Sequence, residues 1–319
     1  MLDKPSAKSL DSKALRNKSV CARSFCVVTV KPVLKPTIAA LKQLIGSSNF
    51  ICDTGWWIMS NVDELKDKLA TAVQILRWEL ADMWGHVSCR SPRGDSFLIM
   101  PVRPPFDHDL PDDEILEYDL DGKMISGRRD PPAEIFFFTS LYRKRPDTGA
   151  VIHCHPPVAV SLIATGKKIV PIHQHSIKFG KGVPVSPWLY GTWQEDGERA
   201  TKAMGKSFAL MMKGHGANVI GNTIQEACLN TVHLERTAKM ILWAQSVGRA
   251  SPIPQDVVKK YERVEAERVE ARGSRPPRSP EWNFYERLIK RGERQLLARG
   301  MGQNHQGSGK RRAVCSVCE

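Results

Sequence analysis

The sequence lacks any apolar run near the roughly 18 residues that a membrane-spanning helix needs. It also lacks the basic, apolar and small-residue segments of a signal peptide. Its eight cysteines do not show the spacing of a disulfide framework, and no internal repeat is present. We therefore expect a soluble, cytoplasmic protein with free thiols and no membrane partner.

The net charge of +13 is concentrated at the two ends of the chain. Residues 1–58 hold nine Lys and Arg against three Asp and Glu, and residues 251–319 hold 15 against nine. The middle, 59–250, is nearly neutral with 23 against 22, so we expect no nucleic-acid partner. We predict a basic, disordered extension (1–58), a catalytic domain (59–250) and a helical, basic C-terminal extension (251–319).

Apolar spacing divides the middle of the chain into helices and strands. Asn61 with Glu64 predicts a helix start, followed by apolar residues every three or four positions. Thr223 with Glu226 predicts the start of a helix that ends near Gly248. The elements do not follow strict βαβ order, which favours one α/β/α layered domain. Hairpins are predicted at 85–102 and 115–125, strands at 149–155, 168–173, 182–185 and on both sides of 214–216, and helices after Pro131-Pro132, at 156–166 and twice after 251.

The sequence VIHCHPP places His153 and His155 two residues apart at the end of an apolar run. On a strand both side chains lie on one face, so two imidazoles converge on one point. A strand end with polar residues is an equally good interpretation of this pair alone. A third ligand is offered by His215, because the glycines on either side of it let the backbone approach closely.

Three neutral imidazoles with an open position are typical of a catalytic metal site. Glu134 is a candidate ligand or general base at the start of a helix, although a glutamate there also simply stabilises the helix dipole. The sequence of itself does not choose between these roles.

Five motifs in order resemble the class II aldolase/adducin superfamily over about 59–250. They are GHVSCR, FLIMP, YDLDGKMI, PPAEIFFFTSLYRKRPDTGAVIHCHPP and MMKGHGANVIGNTIQEA. The resemblance implies a three-layer α/β/α domain with a central, largely antiparallel sheet, and a homotetramer with active sites between subunits. It implies a divalent metal held by His153, His155 and His215, with Glu134 as acid/base. Zinc, manganese, iron and cobalt all suit such a donor set.

The phosphate-binding residues of sugar-phosphate members are replaced in this sequence. Gly85-His86 stands where Gly-Asn is expected, and Pro131-Pro132 stands where paired serines are expected. Proline has neither a hydroxyl nor an N–H to donate to a phosphate. The Gly-His pattern is similar instead to decarboxylases of hydroxylated aromatic or heteroaromatic dicarboxylates.

Four residues are candidates for binding this substrate. Arg90 and Arg103 offer guanidinium groups to its carboxylates, and His86 and His175 offer imidazoles that line the pocket. Surface ion pairs for the arginines and structural roles for the histidines are equally plausible.

The lead hypothesis is a metal-dependent carbon–carbon lyase acting on a small hydroxy-carboxylate, with decarboxylation ahead of retro-aldol cleavage. The alternatives are a sugar-phosphate aldolase or epimerase, and a non-catalytic adducin-like interaction module. Near the C-terminus, Trp282, Phe284 and Tyr285 either dock a helix on the body or close a neighbouring active site. Cys315 and Cys318 are a weaker candidate for a redox or metal pair.

Overall fold

The computed structural model describes residues 51–82, 84–101, 115–273 and 279–291, without the side chains of 51–61 and 272. Arg103, Cys315 and Cys318 lie outside these residues. The helices within them are α1 (Ile51–Leu80), α2 (Ile135–Lys144), α3 (Pro157–Ala164), α4 (Gln194–Met204), α5 (Ile224–Val247), α6 (Gln255–Arg272), α7 (Pro280–Lys290) and a 3₁₀ helix (Gln174–Phe179).

Eight strands of the described residues form a single sheet. Its order is β4-β3-β2-β1-β5-β8-β7-β6, and every neighbouring pair is antiparallel except β6 with β7. The strands are β1 (His86–Arg90), β2 (Ser96–Ile99), β3 (Leu116–Asp119), β4 (Met124–Ser126), β5 (Ala150–Cys154), β6 (Val185–Ser186), β7 (Ala209–Met212) and β8 (Ala217–Gly221).

Helices cover both faces of the sheet. Successive side chains of its central strands point to opposite sides and are apolar on both, so each face has to be buried. On β5, Ile152 packs with the buried residues of α1, α3, α5 and α7. Val151 belongs to the other cluster, with Phe137 of α2 and Met204 of α4. The predicted three-layer α/β/α architecture with a largely antiparallel sheet is confirmed.

Several sequence predictions of individual elements are confirmed. The two hairpins form as β1–β2 and β3–β4, and β7 and β8 flank the turn at 214–216. Thr223 caps α5, with its hydroxyl accepting a hydrogen bond from the backbone N–H of Glu226 at 3.1 Å. Cys89, Cys154 and Cys228 are free and buried thiols.

Three predictions of elements differ from the structure. The first helix begins at Ile51, so the start predicted at Asn61 is wrong. The strand predicted at 168–173 is absent from this described segment, and a 3₁₀ helix follows it at Gln174–Phe179. Helix α4 was not predicted, because its sequence QEDGERATKAM is strongly polar. The limits of the three predicted domains stay predictions.

Helix α7 docks on the body through buried aromatic residues and a polar network. Trp282 and Tyr285 are buried, whereas Phe284 is exposed. The Glu281 carboxylate accepts hydrogen bonds from Nε2 of His233 at 2.8 Å and from Arg236 at 2.6 Å. For Trp282 and Tyr285, these contacts favour docking of the helix over closure of a neighbouring site.

No helix among the described residues has both the length and the apolar character needed to cross a membrane.

We predict that Glu281→Gln lowers the free energy of unfolding at pH 7 by about 1–2 kcal/mol, because it weakens two partly solvent-screened, charge-assisted hydrogen bonds. Burial raises the pKa of Glu281, but His233 and Arg236 outweigh it and lower the pKa from 4.5 to about 2. A depressed pKa stabilises the folded state above pH 4.5, and this contribution is lost as the pH falls towards 2. The difference between variant and wild type should therefore narrow in urea titrations below pH 4.5.

Glu286→Gln on the same helix is the matched control, because among the described residues Glu286 forms an ion pair with exposed Lys290 at 3.4 Å. We expect a change below about 0.5 kcal/mol for it. Equal destabilisation by both substitutions would contradict the role given to Glu281.

Candidate metal centre

Three histidine side chains converge at one end of the central strands. His153 lies on β5, His155 follows that strand by one residue, and His215 lies in the turn between β7 and β8. The ring centroid of His153 lies 4.9 Å from the ring centroid of His155 and 4.9 Å from that of His215. One nitrogen from each ring lies within 4.8 Å of the other two, so the cluster can hold a metal ion.

The turn that carries His215 approaches β5 so closely that it requires glycine. A Cβ at Gly216 would lie 2.4 Å from the carbonyl oxygen of Cys154 and 2.9 Å from Cδ2 of His155. Gly214 adopts a φ of +74°, in the left-handed region. The predicted close approach of the backbone is confirmed at Gly216, whereas Gly214 is required for its left-handed φ and an added Cβ there would lie 3.7 Å from the Trp188 ring.

Each of the three rings has an acceptor at its Nδ1 atom. Nδ1 of His153 lies 2.8 Å from Oδ1 of Asn218, and Nδ1 of His215 lies 2.6 Å from the carbonyl oxygen of Leu189. Nδ1 of His155 lies 3.3 Å from a carboxylate oxygen of Asp82. Acceptors at all three Nδ1 atoms hold the proton there and leave the Nε2 lone pairs free for a ligand.

Burial favours the neutral form of two of the three imidazoles, and neutral imidazole is the form that binds metals. Burial lowers the pKa of His153 well below its ordinary value, and the charges of the neighbouring histidines add to this effect. Burial also lowers the pKa of His215. Nε2 of His153 is buried without a hydrogen-bond partner within the described structure, as expected of an atom that faces a ligand. The donor set therefore fits a divalent metal.

Glu134 and His86 lie beside this cluster. Oε2 of Glu134 lies 3.9 Å from Nε2 of His86, and the Glu134 charge acts on His215. Glu134 directly precedes α2 but makes no side-chain capping bond to it. His86 pairs with His153 across β1 and β5, so both side chains lie on the same face of the sheet. Burial, followed by the nearby His155, lowers the pKa of His86 to about 4.

Two other predicted substrate ligands are not brought to the cluster within one chain. Arg90 lies at the opposite end of β1, where its guanidinium donates to the backbone carbonyls of Thr148, Gly94 and Tyr142 at 2.7–3.2 Å. These bonds give Arg90 a structural role, and we do not propose it as a substrate ligand. His175 is exposed and stacks on His233 of α5 with ring centroids 5.0 Å apart.

Sequence reasoning missed the residues that surround the three histidines. Asn218 is a buried amide within an otherwise apolar strand, and this polar residue is the one sequence feature that could have indicated its role. The contact between Asp82 and His155 could not be predicted from a local pattern, because the two residues are 73 positions apart in the sequence. Two exposed aromatic residues, Trp188 and Tyr190, flank the carbonyl that binds His215, and the Trp188 ring lies 6.4 Å from the His215 ring.

A model of the Class II Aldolase and Adducin N-terminal domain matches residues 73–242, more than half of the chain. The 3,4-dihydroxyphthalate decarboxylase of Arthrobacter keyseri is 30% identical over 203 residues, which cover 58% of this chain and 80% of that protein. The 5-deoxy-D-ribulose 1-phosphate aldolase of a Bacillus thuringiensis serovar kurstaki strain is 29% identical over 156 residues, which cover 47% and 72%. Similar proteins thus include both decarboxylases and aldolases.

Solved structures share the fold. An aldolase II superfamily protein from Pseudomonas syringae superposes with a TM-score of 0.60 at 23% identity, covering 73% of this chain and 95% of that one. An L-fuculose 1-phosphate aldolase superposes with a TM-score of 0.56 at 23% identity, covering 61% and 93%.

We predict that Gly216→Ala displaces the His215 turn, lowers stability by about 1–3 kcal/mol and abolishes stoichiometric metal binding. Thermal melting and elemental analysis measure the two effects. Gly248→Ala is the matched control, because nothing lies within 4 Å of its added Cβ and the backbone φ of 172° suits any residue. Full metal content in Gly216→Ala would contradict the geometry described for the turn.

Proposed function

This chain belongs to the class II aldolase and adducin family, and from that premise we propose that it is a divalent-metal-dependent carbon–carbon lyase. The proposed substrate is a small hydroxy-carboxylate, and the favoured reaction is decarboxylation of a hydroxylated aromatic or heteroaromatic dicarboxylate. The observation that carries the proposal is the cluster of three histidines, each with an acceptor at Nδ1 and its Nε2 left free.

His153, His155 and His215 would hold the metal, whether zinc, manganese, iron or cobalt. When bound, such an ion supplies Lewis-acid stabilisation for negative charge that develops on a substrate oxygen. Loss of CO₂ next to a phenol, and aldol cleavage next to a carbonyl, both place such charge on oxygen. The same three side chains therefore suit both reactions.

Glu134 is proposed to transfer a proton to or from the reacting carbon, directly or through water. Its side chain is partly exposed (19%), so it is open to a substrate while it lies next to the neutral His86. His86 has a buried Nδ1 without a partner within the described structure and an Nε2 near Glu134. We propose that His86 hydrogen-bonds the substrate or the Glu134 carboxylate.

The replacements at the expected phosphate site favour decarboxylation of an unphosphorylated acid. Pro131 and the buried Pro132 offer no N–H or hydroxyl at the approach to α2. The exposed rings of Trp188 and Tyr190, 5.5 Å apart, provide an aromatic surface beside His215. The exposed faces of these rings are compatible with stacking on a planar aromatic substrate. Retro-aldol cleavage is the second candidate, since aldolases are among the similar proteins.

The homotetramer and the cytoplasmic location remain predictions, and sedimentation analysis with and without metal would test the first of them.

We predict that protein purified without added metal contains about one divalent ion per chain, and that His155→Ala loses it. Elemental analysis gives the content, and circular dichroism checks that the variant is folded. His175→Ala is the matched control and should keep the ion, because His175 stacks on His233 and is not one of the three clustered histidines. Metal-free wild type that gains no ion on titration would leave an adducin-like binding module in place of the enzyme.

We predict that Glu134→Gln lowers kcat by about 10²–10⁴-fold while the metal content stays unchanged, because only the proton transfer is removed. CO₂ release from dihydroxyphthalate isomers and hydroxypyridine dicarboxylates is the assay, with aldol cleavage of a ketose 1-phosphate measured in parallel. Cleavage of the phosphate substrate at a higher kcat/KM than any aromatic acid would replace decarboxylation by the second candidate.

A further inference from the structure

The turn between α1 and β1 places a buried carboxylate behind one of the three histidines. Ala81 ends the helix with a φ of +55°, a left-handed conformation that is unfavourable for alanine. The next residue, Asp82, has a side chain that is only 4% exposed. Gly85 permits the close approach, because a Cβ there would lie 3.0 Å from both Oδ2 of Asp82 and the carbonyl oxygen of His153.

Both oxygens of the Asp82 carboxylate are used. Oδ2 accepts a hydrogen bond from the backbone N–H of His155 at 2.6 Å and lies 3.3 Å from Nδ1 of the same residue. Oδ1 accepts from the backbone N–H of Trp84 at 2.9 Å. Asp82 thus contacts both the backbone and the ring of His155.

His155 depends on this carboxylate more than the other two histidines depend on their acceptors. His153 is held within β5 by the strands on both sides, and His215 by the glycine turn. His155 lies one residue beyond the end of β5. Its acceptor is also the charged one of the three, since Asn218 and the Leu189 carbonyl are neutral.

We infer that Asp82 is a positioning residue for His155. It fixes the orientation of the imidazole, keeps the ring proton on Nδ1 and presents the Nε2 lone pair to the metal. Its negative charge strengthens the donor and offsets part of the charge of a divalent ion. The inference rests on the metal site of the proposed function and adds to it a residue that reaches the metal only through His155.

The test compares Asp82→Asn with Glu235→Gln. Glu235 is also a buried carboxylate that accepts two backbone N–H bonds, from Val158 at 3.2 Å and Ala159 at 2.9 Å, but its charged partner is Lys239 of its own helix, at 3.7 Å, and not a histidine of the cluster. Zn²⁺ affinity is measured on the full chain by competition with a chromogenic chelator, and thermal melting reports stability. We expect Asp82→Asn to raise the Zn²⁺ dissociation constant by about 10–100-fold. Glu235→Gln should change it less than 3-fold, even where both variants lose stability.

A dissociation constant of Asp82→Asn within 3-fold of wild type, or an equal loss in Glu235→Gln, would overturn the inference and leave the proposed metal site intact. Wild type that binds none of Zn²⁺, Mn²⁺, Fe²⁺ and Co²⁺ would instead overturn the proposed function and the inference with it.

A second measurement covers the case in which Asp82→Asn does not fold. In metal-free wild type, ¹⁵N NMR of the imidazole groups, with His155→Gln for assignment, should show His155 protonated on Nδ1. A dominant Nε2–H form would overturn the inference.

Discussion

The hydrogen bond between His153 and Asn218 joins the two central strands of the sheet, and the arrangement of the candidate site depends on it. A fully buried imidazole costs free energy unless its polar atoms are satisfied. Asn218 lies opposite His153 in the β5–β8 register and satisfies Nδ1, which leaves Nε2 to a ligand. The register that forms the core of the sheet therefore also sets the direction of His153, the first of the three candidate ligands.

The sequence predicts the parts of the site that depend on local patterns. Alternation along β5 places His153 on one face, and the glycines around His215 indicate a tight turn, so short motifs indicate three candidate ligands that the family resemblance implies form one set. Helix α5 follows in the same way from its Thr223 N-cap and its apolar spacing. These features depend on a few neighbouring residues, for which side-chain period and capping rules are sufficient.

The parts that the sequence does not predict depend on distant contacts. The sequence made Arg90 a candidate ligand for a substrate carboxylate. In the structure Arg90 lies at the end of β1 opposite His86, where its guanidinium donates hydrogen bonds to backbone carbonyls. Asp82 meets His155 only because α1 packs over the sheet before the chain enters β1. The strand predicted at 168–173 does not form. Its apolar run contains Pro171, and proline has no N–H to donate to a neighbouring strand.

The pleat of β5 also decides which donor atoms, nitrogen or sulfur, face the candidate metal site. Cys154 lies between two histidines in the sequence, and a thiolate there would make a softer, sulfur-containing site. Its side chain points to the other face, where it packs in the core with Ile152 and where burial raises the pKa of the thiol well above its ordinary value. A slip of one residue in the register would exchange Cys154 for His153. Five paired positions with β8 fix that register, so the candidate donors on this face are imidazole nitrogens, which suit borderline ions such as zinc and iron.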